Sequence, residues 1–246
     1  METIHELLGY KHLKIVQNPE MFCFSLDSIL LADFVKPKPS CEKIIDLGCG
    51  NAPIPLFLTL KTEAKITGVE IQKEVYELAR KSVLLNGLDE QINLINADIR
   101  DVYRITGANV FDIAIANPPY FKFKPESHIN RNEYLTIARH EVKIDLEGLV
   151  SEARKLLKNG GSFNLVHRVE RISETLNLLG NNNFGIRRLR FVYPKKGNQA
   201  LLFLVEAWSN KKDDVKVEEP LYVYENGEYS QEVLEIFNFK KNEYDI

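Results

Sequence analysis

The sequence lacks the features of several special classes of protein. It has only three cysteines and no CxxC spacing, so we expect neither a disulfide framework nor a structural zinc site. Apolar runs such as 201–205 are five residues long, against the roughly 20 that cross a membrane. The first residues lack the basic flank and apolar stretch of a signal peptide. We therefore expect a cytoplasmic protein with reduced thiols and no membrane contact.

The sequence also lacks a strong net charge and any internal repeat. It has 32 Lys and Arg residues and 35 Asp and Glu residues, which gives a net charge of −3. A protein that is basic over its whole surface is therefore excluded, and a nucleic acid would have to meet a local basic patch. Its length of 246 residues fits one large domain with short terminal additions.

Short apolar strands alternate with helices from residue 43 onward. The strands are predicted at 43–47, 66–70, 92–95, 111–116, 162–167, 186–193 and 200–208. The helices are predicted at 26–35, 53–60, 73–85, 146–157 and 171–179. This alternation indicates an α/β fold with a parallel sheet and helices on both faces.

The last two predicted strands flank a turn at 195–198, so the seven-stranded sheet ends in a hairpin. That arrangement resembles the class I methyltransferase (Rossmann-like) fold rather than a nicotinamide dehydrogenase. We divide the chain into an N-terminal lid or substrate segment (1–40), a methyltransferase domain (41–208) and a C-terminal extension (209–246).

Three predicted strands end in residues suited to binding a nucleoside. Gly48 and Gly50 follow the first strand and let the backbone pass close to a ligand. Glu70 can accept hydrogen bonds from ribose hydroxyls, and Asp98 can accept one from an adenine amine. Each feature has a plainer interpretation: a tight turn, a solvent-facing acid and a helix N-cap. Together they favour a ligand, because open α/β sheets bind ligands along this edge.

The run from Asn117 to Tyr120 directly follows the fourth strand. Pro118 and Pro119 stiffen the turn and aim its carbonyls, and Tyr120 offers a flat face to a planar group. The Asn117 side chain and the Pro118 carbonyl could accept both hydrogens of an exocyclic amine. That grip localises the amine's lone pair for transfer of a methyl group.

These residues resemble the (N/D)PP(Y/F) motif and the cofactor motifs of amino-methyltransferases. The segments 22–32, 137–141 and 194–197 are similar to signatures of the bacterial tRNA1(Val) adenine-N6 methyltransferases. The resemblance covers about residues 10–225 and implies methylation of the adenine 3′ of the anticodon, with S-adenosylmethionine as cofactor. Members often have glycine where this chain has Ala52, so an extra methyl group is expected in the cofactor loop.

The resemblance implies a set of site residues. The catalytic residues are Asn117, Pro118, Pro119 and Tyr120. The cofactor-binding residues are Asp46, Gly48, Gly50, Asn51, Glu70, Ile71, Asp98, Ile99 and Asn117. In related enzymes the N-terminal segment folds over the cofactor, so Asp27 either serves that segment or caps its own helix. No metal and no obligate protein partner are expected.

Basic residues near the motif and the hairpin are candidates for contact with RNA phosphates. They are Lys122, Lys124, Arg139, Arg188, Arg190, Lys195 and Lys196. The alternative is a solvated hairpin, and for Arg139 a salt-bridged loop. A loop adenine can be splayed out into such a pocket.

Other functions remain open from the sequence. The same chemistry could act on another amine in RNA, such as an rRNA adenine or guanine, or on a glutamine of a translation release factor. A nicotinamide dehydrogenase is expected to have a third glycine near position 53, where this chain has proline. A non-catalytic RNA-binding module is disfavoured by the intact run from Asn117 to Tyr120.

Overall fold

The computed structural model describes residues 2–21, 24–120 and 144–239. The longer strands are β1 Thr3–Leu7, β2 Tyr10–Gln17, β3 Lys43–Leu47, β4 Lys65–Glu70, β5 Ile92–Asn96, β6 Phe111–Ala116, β7 Leu157–Arg168, β8 Phe184–Tyr193 and β9 Leu202–Ser209. Two-residue strands follow at β10 Lys216–Val217, β11 Leu221–Tyr222, β12 Tyr224–Glu225 and β13 Glu228–Tyr229. The helices are α1 Leu26–Phe34, α2 Pro53–Leu58, α3 Lys73–Leu85, α4 Val102–Thr106, α5 Leu146–Leu156, α6 Ile172–Asn181 and α7 Gln231–Ile236.

The seven predicted strands form one sheet in the order β5-β4-β3-β6-β7-β9-β8. The strands from β5 to β7 pair in parallel, and β9 runs antiparallel to both β7 and β8. The predicted fold class and the terminal hairpin are therefore confirmed. The short strands β10 and β11 extend the β8 edge, which the sequence did not predict.

Helices cover both faces of this sheet, as expected. Successive side chains of a strand point to opposite faces, and Ile44 and Ile45 of β3 accordingly enter two different buried clusters. The first cluster takes apolar residues from α1, α2, α3 and α7, and the second takes them from α4, α5 and α6. A sheet buried on both faces explains why its strands read as nearly continuous apolar runs.

The N-terminal region, which gave no clear prediction, contains the hairpin β1–β2. This hairpin docks on α3, where the Val16 amide donates to the Ser82 hydroxyl at 2.9 Å. It also reaches the glycine turn, because the Asn51 side chain donates to the Val16 carbonyl at 3.0 Å. The division into a lid, a domain and an extension stays a prediction.

The boundary between α5 and β7 differs from the prediction. We expected residues 159–161 to end the helix and a strand to begin at 162, whereas β7 begins at Leu157 directly after α5. Gly160 has a φ of +78°, and the register between β6 and β7 shifts between Phe111 and Ile113. The two glycines therefore serve a bulge within the strand instead of a helix stop.

In the C-terminal extension, whose sequence shows no clear periodicity of apolar residues, the described residues form the short strands β10–β13 and α7. The Ser230 hydroxyl caps α7 by accepting from the Val233 amide at 3.3 Å, and Val233 is buried in the first cluster. Tyr229 lies edge-on to Phe237, as expected of tail aromatics that pack on the domain. Among the described residues, no helix has the length and apolar character to span a membrane.

Candidate active site

A cleft lies at the edge where the parallel strands end, and its empty volume is about 1080 Å³, including the part open to solvent. The turn after β3 and the residues after β6 form two of its walls. Gly48 and Gly50 have φ values of +84° and +56°, and no heavy atom lies within 4 Å of an added Cβ at either position. The predicted glycine turn therefore leaves open space at the cleft.

Ala52 has a φ of +71° at the N-cap of α2. This left-handed conformation disfavours any residue with a Cβ and favours glycine. The departure from the family pattern noted in the sequence thus falls at a position of real backbone strain. The turn itself is nevertheless formed, since the Gly48 and Cys49 amides both donate to the Val69 carbonyl at 2.9 Å.

Glu70 ends β4 and is 6% exposed. One carboxylate oxygen accepts from the Gly50 amide at 3.0 Å and the other accepts from the Gln72 amide at 2.8 Å. Burial raises the pKa of Glu70, and these backbone hydrogen bonds oppose that rise. The carboxylate is therefore held rigidly at the cleft, and each oxygen keeps a further lone pair for a ligand.

Asp46, on β3, is completely buried. Neither of its carboxylate oxygens has a hydrogen-bond partner within the described parts of the chain. Burial and then the charge of Glu70 raise the pKa of Asp46 to about 8. A buried carboxylate without a partner is costly, and with this pKa Asp46 is largely protonated near pH 7. It is not among the residues that line the cleft, so its contact with a cofactor stays a prediction.

Asp98 lines the cleft and is also an N-cap. Its side chain accepts from the Arg100 amide at 2.9 Å and pairs with the Arg100 guanidinium at 2.5 Å. The N-cap interpretation of this residue is therefore confirmed, and its contact with an adenine amine stays a prediction. Ile71 and Ile99 add apolar wall, as a flat nucleobase requires. Asn51 lines the cleft too, with its side-chain amide directed to β2.

The segment from Asn117 to Tyr120 meets the first turn of α1. The Asn117 amide nitrogen donates to the Ser28 hydroxyl at 3.0 Å. The Tyr120 hydroxyl lies 2.5 Å from an oxygen of Asp27 and 3.1 Å from the Asn117 amide oxygen. The sequence did not single out Ser28, although it follows Asp27 within the 22–32 signature.

Burial shifts the titration of the groups around Tyr120. It raises the pKa of Asp27, and with the Asp27 charge it raises that of Tyr120 well above its ordinary value. His167 packs beside Tyr120 with 5.5 Å between ring centroids. Burial lowers the pKa of His167 to about 4, so this ring is neutral at physiological pH.

The basic residues predicted to contact RNA have different surroundings. Arg188 pairs with Glu206 and Glu218 and donates to the Phe34 carbonyl at 2.9 Å. Arg190 pairs with Glu232 at 2.6 Å. The structure thus gives both arginines partners within the fold, and their contact with RNA stays a prediction.

The predicted lysines of the hairpin turn are placed differently. Lys195 and Lys196 are exposed, and neither is in an ion pair with another described residue. The end of β8 lies at the same sheet edge as the cleft, because β8 runs in the same direction as β7. Lys122, Lys124 and Arg139 lie outside the described residues.

Comparison with known proteins agrees with this geometry. The model of the family described as the methyltransferase small domain matches residues 12–184. A tRNA1(Val) (adenine(37)-N6)-methyltransferase of Phocaeicola vulgatus is 27% identical over 205 residues, which cover 80% of this chain and 83% of the relative. One from Haemophilus influenzae is 31% identical over 153 residues, 61% of this chain and 64% of the relative. The resemblance inferred from the sequence is confirmed.

Solved structures share the fold. A protein described as a predicted O-methyltransferase from Agrobacterium tumefaciens matches with a TM-score of 0.69 and 24% identity, covering 87% of this chain and 96% of its own. The structure of TYW2 from M. jannaschii in complex with AdoMet matches with a TM-score of 0.58 and 16% identity, covering 84% of this chain and 85% of its own.

Proposed function

The chain belongs to the methyltransferase small domain family, and from that premise we propose that it methylates the N6 amine of an adenine in tRNA. The methyl donor is S-adenosylmethionine, and the target is the base 3′ of the anticodon in a valine tRNA. The observation that carries the proposal is the run from Asn117 to Tyr120 at the end of β6, where Asn117 and Pro118 line the cleft. The names of the relatives support the choice of substrate.

The cleft fits S-adenosylmethionine. Asp46 lies two residues before Gly48 but does not itself line the cleft, so the fit rests on Glu70 and on the glycine turn. Glu70 is fixed at the end of β4 with lone pairs to spare, which suits a ribose diol. The open space at Gly48 and Gly50 admits a ligand close to the backbone.

We assign the holding of the cofactor to residues of this cleft. Glu70 would accept from the ribose hydroxyls, and Asp98 with Ile71 and Ile99 would hold the adenine. When bound, S-adenosylmethionine supplies an electrophilic methyl group. The remaining chemistry belongs to the chain's own residues, and none of it requires a nucleophilic side chain.

Asn117 and Pro118 would hold the target amine. The Asn117 amide oxygen and the Pro118 carbonyl oxygen each accept one hydrogen of the amine, which turns its lone pair away from the base ring. This grip strengthens as positive charge develops on the nitrogen, so it acts mainly in the transition state. The face of Tyr120 holds the base flat.

The preference for an RNA base over a protein glutamine rests on the surroundings of the cleft. Exposed Lys195 and Lys196 lie at the same sheet edge and suit the phosphates that flank a base. An anticodon-loop adenine is unpaired, so splaying it out requires little free energy. A tRNA substrate also assigns the enzyme to the cytoplasm.

The test supplies the purified protein with labelled S-adenosylmethionine and either total tRNA or a release factor. The expected result is label in N6-methyladenosine from valine tRNA, identified by nuclease digestion and mass spectrometry. Label on a protein glutamine, with none in RNA, would reject the proposal in favour of the release-factor activity. Label on another tRNA nucleoside would reject only the assignment to the adenine 3′ of the anticodon.

A pair of asparagine variants tests the site itself. Asn117→Ala should abolish methylation while cofactor binding stays nearly intact, because the lost grip acts in the transition state. Asn198→Ala, an exposed residue of the hairpin turn at the same sheet edge, is the matched control and should retain full activity. Equal activities in the two variants would remove Asn117 from the mechanism.

A further inference from the structure

The Asn117 side chain has a defined orientation in the cleft. Its amide nitrogen donates to the Ser28 hydroxyl at 3.0 Å, and its amide oxygen lies 3.1 Å from the Tyr120 hydroxyl. A hydroxyl can donate and accept, whereas an amide oxygen only accepts. In this orientation the amide oxygen, which can only accept, lies beside the Tyr120 hydroxyl.

The Tyr120 hydroxyl has two acceptors within reach but carries only one proton. An oxygen of Asp27 lies 2.5 Å away, and the Asn117 amide oxygen lies 3.1 Å away. Hydrogen bonds to a carboxylate are shorter and stronger than those to a neutral amide. The proton of Tyr120 is therefore directed to Asp27, and the lone pairs of the Asn117 oxygen are left for another donor.

The position of Asp27 is fixed by its surroundings. It lies in the first turn of α1, largely buried, where the Tyr120 hydroxyl donates to it. The cation that acts on its charge is the Arg168 guanidinium at the end of β7. Asp27 is not among the residues that line the cleft, whereas Asn117 is, and the Tyr120 hydroxyl contacts both of them.

We propose that Asp27 is a positioning residue that accepts the hydrogen bond of the Tyr120 hydroxyl and so keeps the Asn117 amide oxygen available to the target amine. Without Asp27, the Tyr120 hydroxyl donates to that oxygen and competes with the amine. The proposal rests on the proposed function, since it assumes that Asn117 holds the acceptor.

A double-mutant cycle tests this inference. Asp27→Ala should lower kcat for tRNA methylation about tenfold, with little change in KM, because the lost interaction is strongest in the transition state. Tyr120→Phe keeps the flat ring and removes the competing proton, and its own kcat is the reference against which the double variant is compared. The double variant should match Tyr120→Phe, so that loss of the hydroxyl rescues loss of the carboxylate.

The result that overturns the proposal is a double variant as impaired as Asp27→Ala, or impaired by the product of the two single effects. A merely structural Asp27 gives that result, since removing a hydroxyl cannot repair a damaged fold. Thermal unfolding and the cofactor Kd are measured for each variant, and the Kd should stay within about twofold because Asp27 acts on the acceptor side.

Asp27→Asn provides a second arm if Asp27→Ala does not fold. Its neutral amide oxygen is a weaker acceptor than a carboxylate, so kcat should fall less and should again recover when combined with Tyr120→Phe. No recovery in this arm also overturns the proposal. A wild-type protein that leaves tRNA unlabelled contradicts the proposed function instead, and the two failures are thereby distinguished.

Discussion

Two buried acids and a largely buried arginine of the same sheet have opposite environments. Asp46 on β3 and Glu70 at the end of β4 are buried, and Asp46 has no partner within the described residues. Arg188, on β8, is also largely buried, but it pairs with Glu206 and Glu218 and donates to the Phe34 carbonyl. The sequence predicted ligand contacts for all three of these residues.

The difference shows how a structure separates charges that serve a ligand from charges that serve the fold. A buried carboxyl without a partner reduces stability and keeps its proton near neutral pH, as the raised pKa of Asp46 indicates, whereas Glu70 lines the cleft and keeps lone pairs for a ligand. A buried charge with two carboxylates and a carbonyl around it is already accounted for by the fold. Each of the following predictions sharpens or breaks this distinction.

The largest expected effect is on stability at the arginine. Arg188→Ala leaves Glu206 with the Trp208 indole and Glu218 with Lys36 as their remaining partners, so the free energy of unfolding should fall by about 3 kcal/mol, the low end for breaking a buried ion pair. Urea unfolding measures it, and Lys196→Ala on the same hairpin is the control, expected within about 0.5 kcal/mol of the wild type. If Arg188→Ala and Lys196→Ala both have equally small effects on the free energy of unfolding, Arg188 becomes a candidate for RNA contact again.

The next effect is on ligand affinity at the carboxylate. Glu70→Ala removes two acceptors for ribose hydroxyls and should weaken cofactor binding by about 2–3 kcal/mol. Calorimetry with S-adenosylmethionine gives the affinity. Glu74→Ala, an exposed acid in the first turn of α3, should bind as the wild type does. Unchanged affinity in Glu70→Ala would contradict the assignment of the ribose to this residue.

Asp46 should make stability depend on pH in a way that a paired charge does not. Burial and the charge of Glu70 raise its pKa to about 8, above the ordinary value of about 3.9. Between these two pKa values the folded protein holds a proton that the unfolded chain has released. The contribution of protonated Asp46 to the free energy of unfolding is therefore complete below about pH 4 and is lost as the pH rises to about 8.

The measurement is the free energy of unfolding across that range. Asp46 contributes at most about −1.4 kcal/mol per pH unit to the slope of this free energy against pH. Asp46→Asn should remove that contribution and flatten the slope. Asp89→Asn, an exposed residue, is the control and should leave the slope of the wild type unchanged. A slope that persists in Asp46→Asn would assign it to another buried acid.

The smallest effect concerns the lysines of the hairpin turn. Replacing Lys195 and Lys196 together with alanine should reduce the slope of log K against log salt for tRNA binding by about 1–2, since each phosphate contact contributes about 0.7–0.9. Lys211 and Lys212 are equally exposed but follow β9 at the opposite edge. The same double replacement there removes the same charge and should leave the slope unchanged. A similar change in both variants would indicate a general charge effect.

Much of the fold was predictable because its signals are local. The bounds of β3, β6 and α3 agree with the prediction to the residue, since apolar runs and helical periodicity are properties of neighbouring positions. The glycine turn, Glu70 and the run from Asn117 to Tyr120 were also located correctly at strand ends. Parallel strands bring such ends to one edge, so the cleft's position follows from the pattern.

The N-terminal hairpin shows where local signals fail. Its outer strand β1 has a single buried residue, Leu7, so it has no clear alternation of apolar and polar positions. What stabilises the hairpin is its contact with α3 and the glycine turn, through Ser82 and Asn51. Those partners lie 66 and 35 residues further along the chain, beyond any local pattern.

The sequence by itself determined the order of strands and helices, the residues at the sheet edge and the family resemblance, because each depends on short-range pattern. Only the tertiary structure decided which of these residues have partners. Tyr120 meets Asp27 across 93 residues and Arg188 meets Phe34 across 154. Whether a charge is satisfied depends on the distant groups that folding brings beside it, and a linear pattern contains no record of those groups.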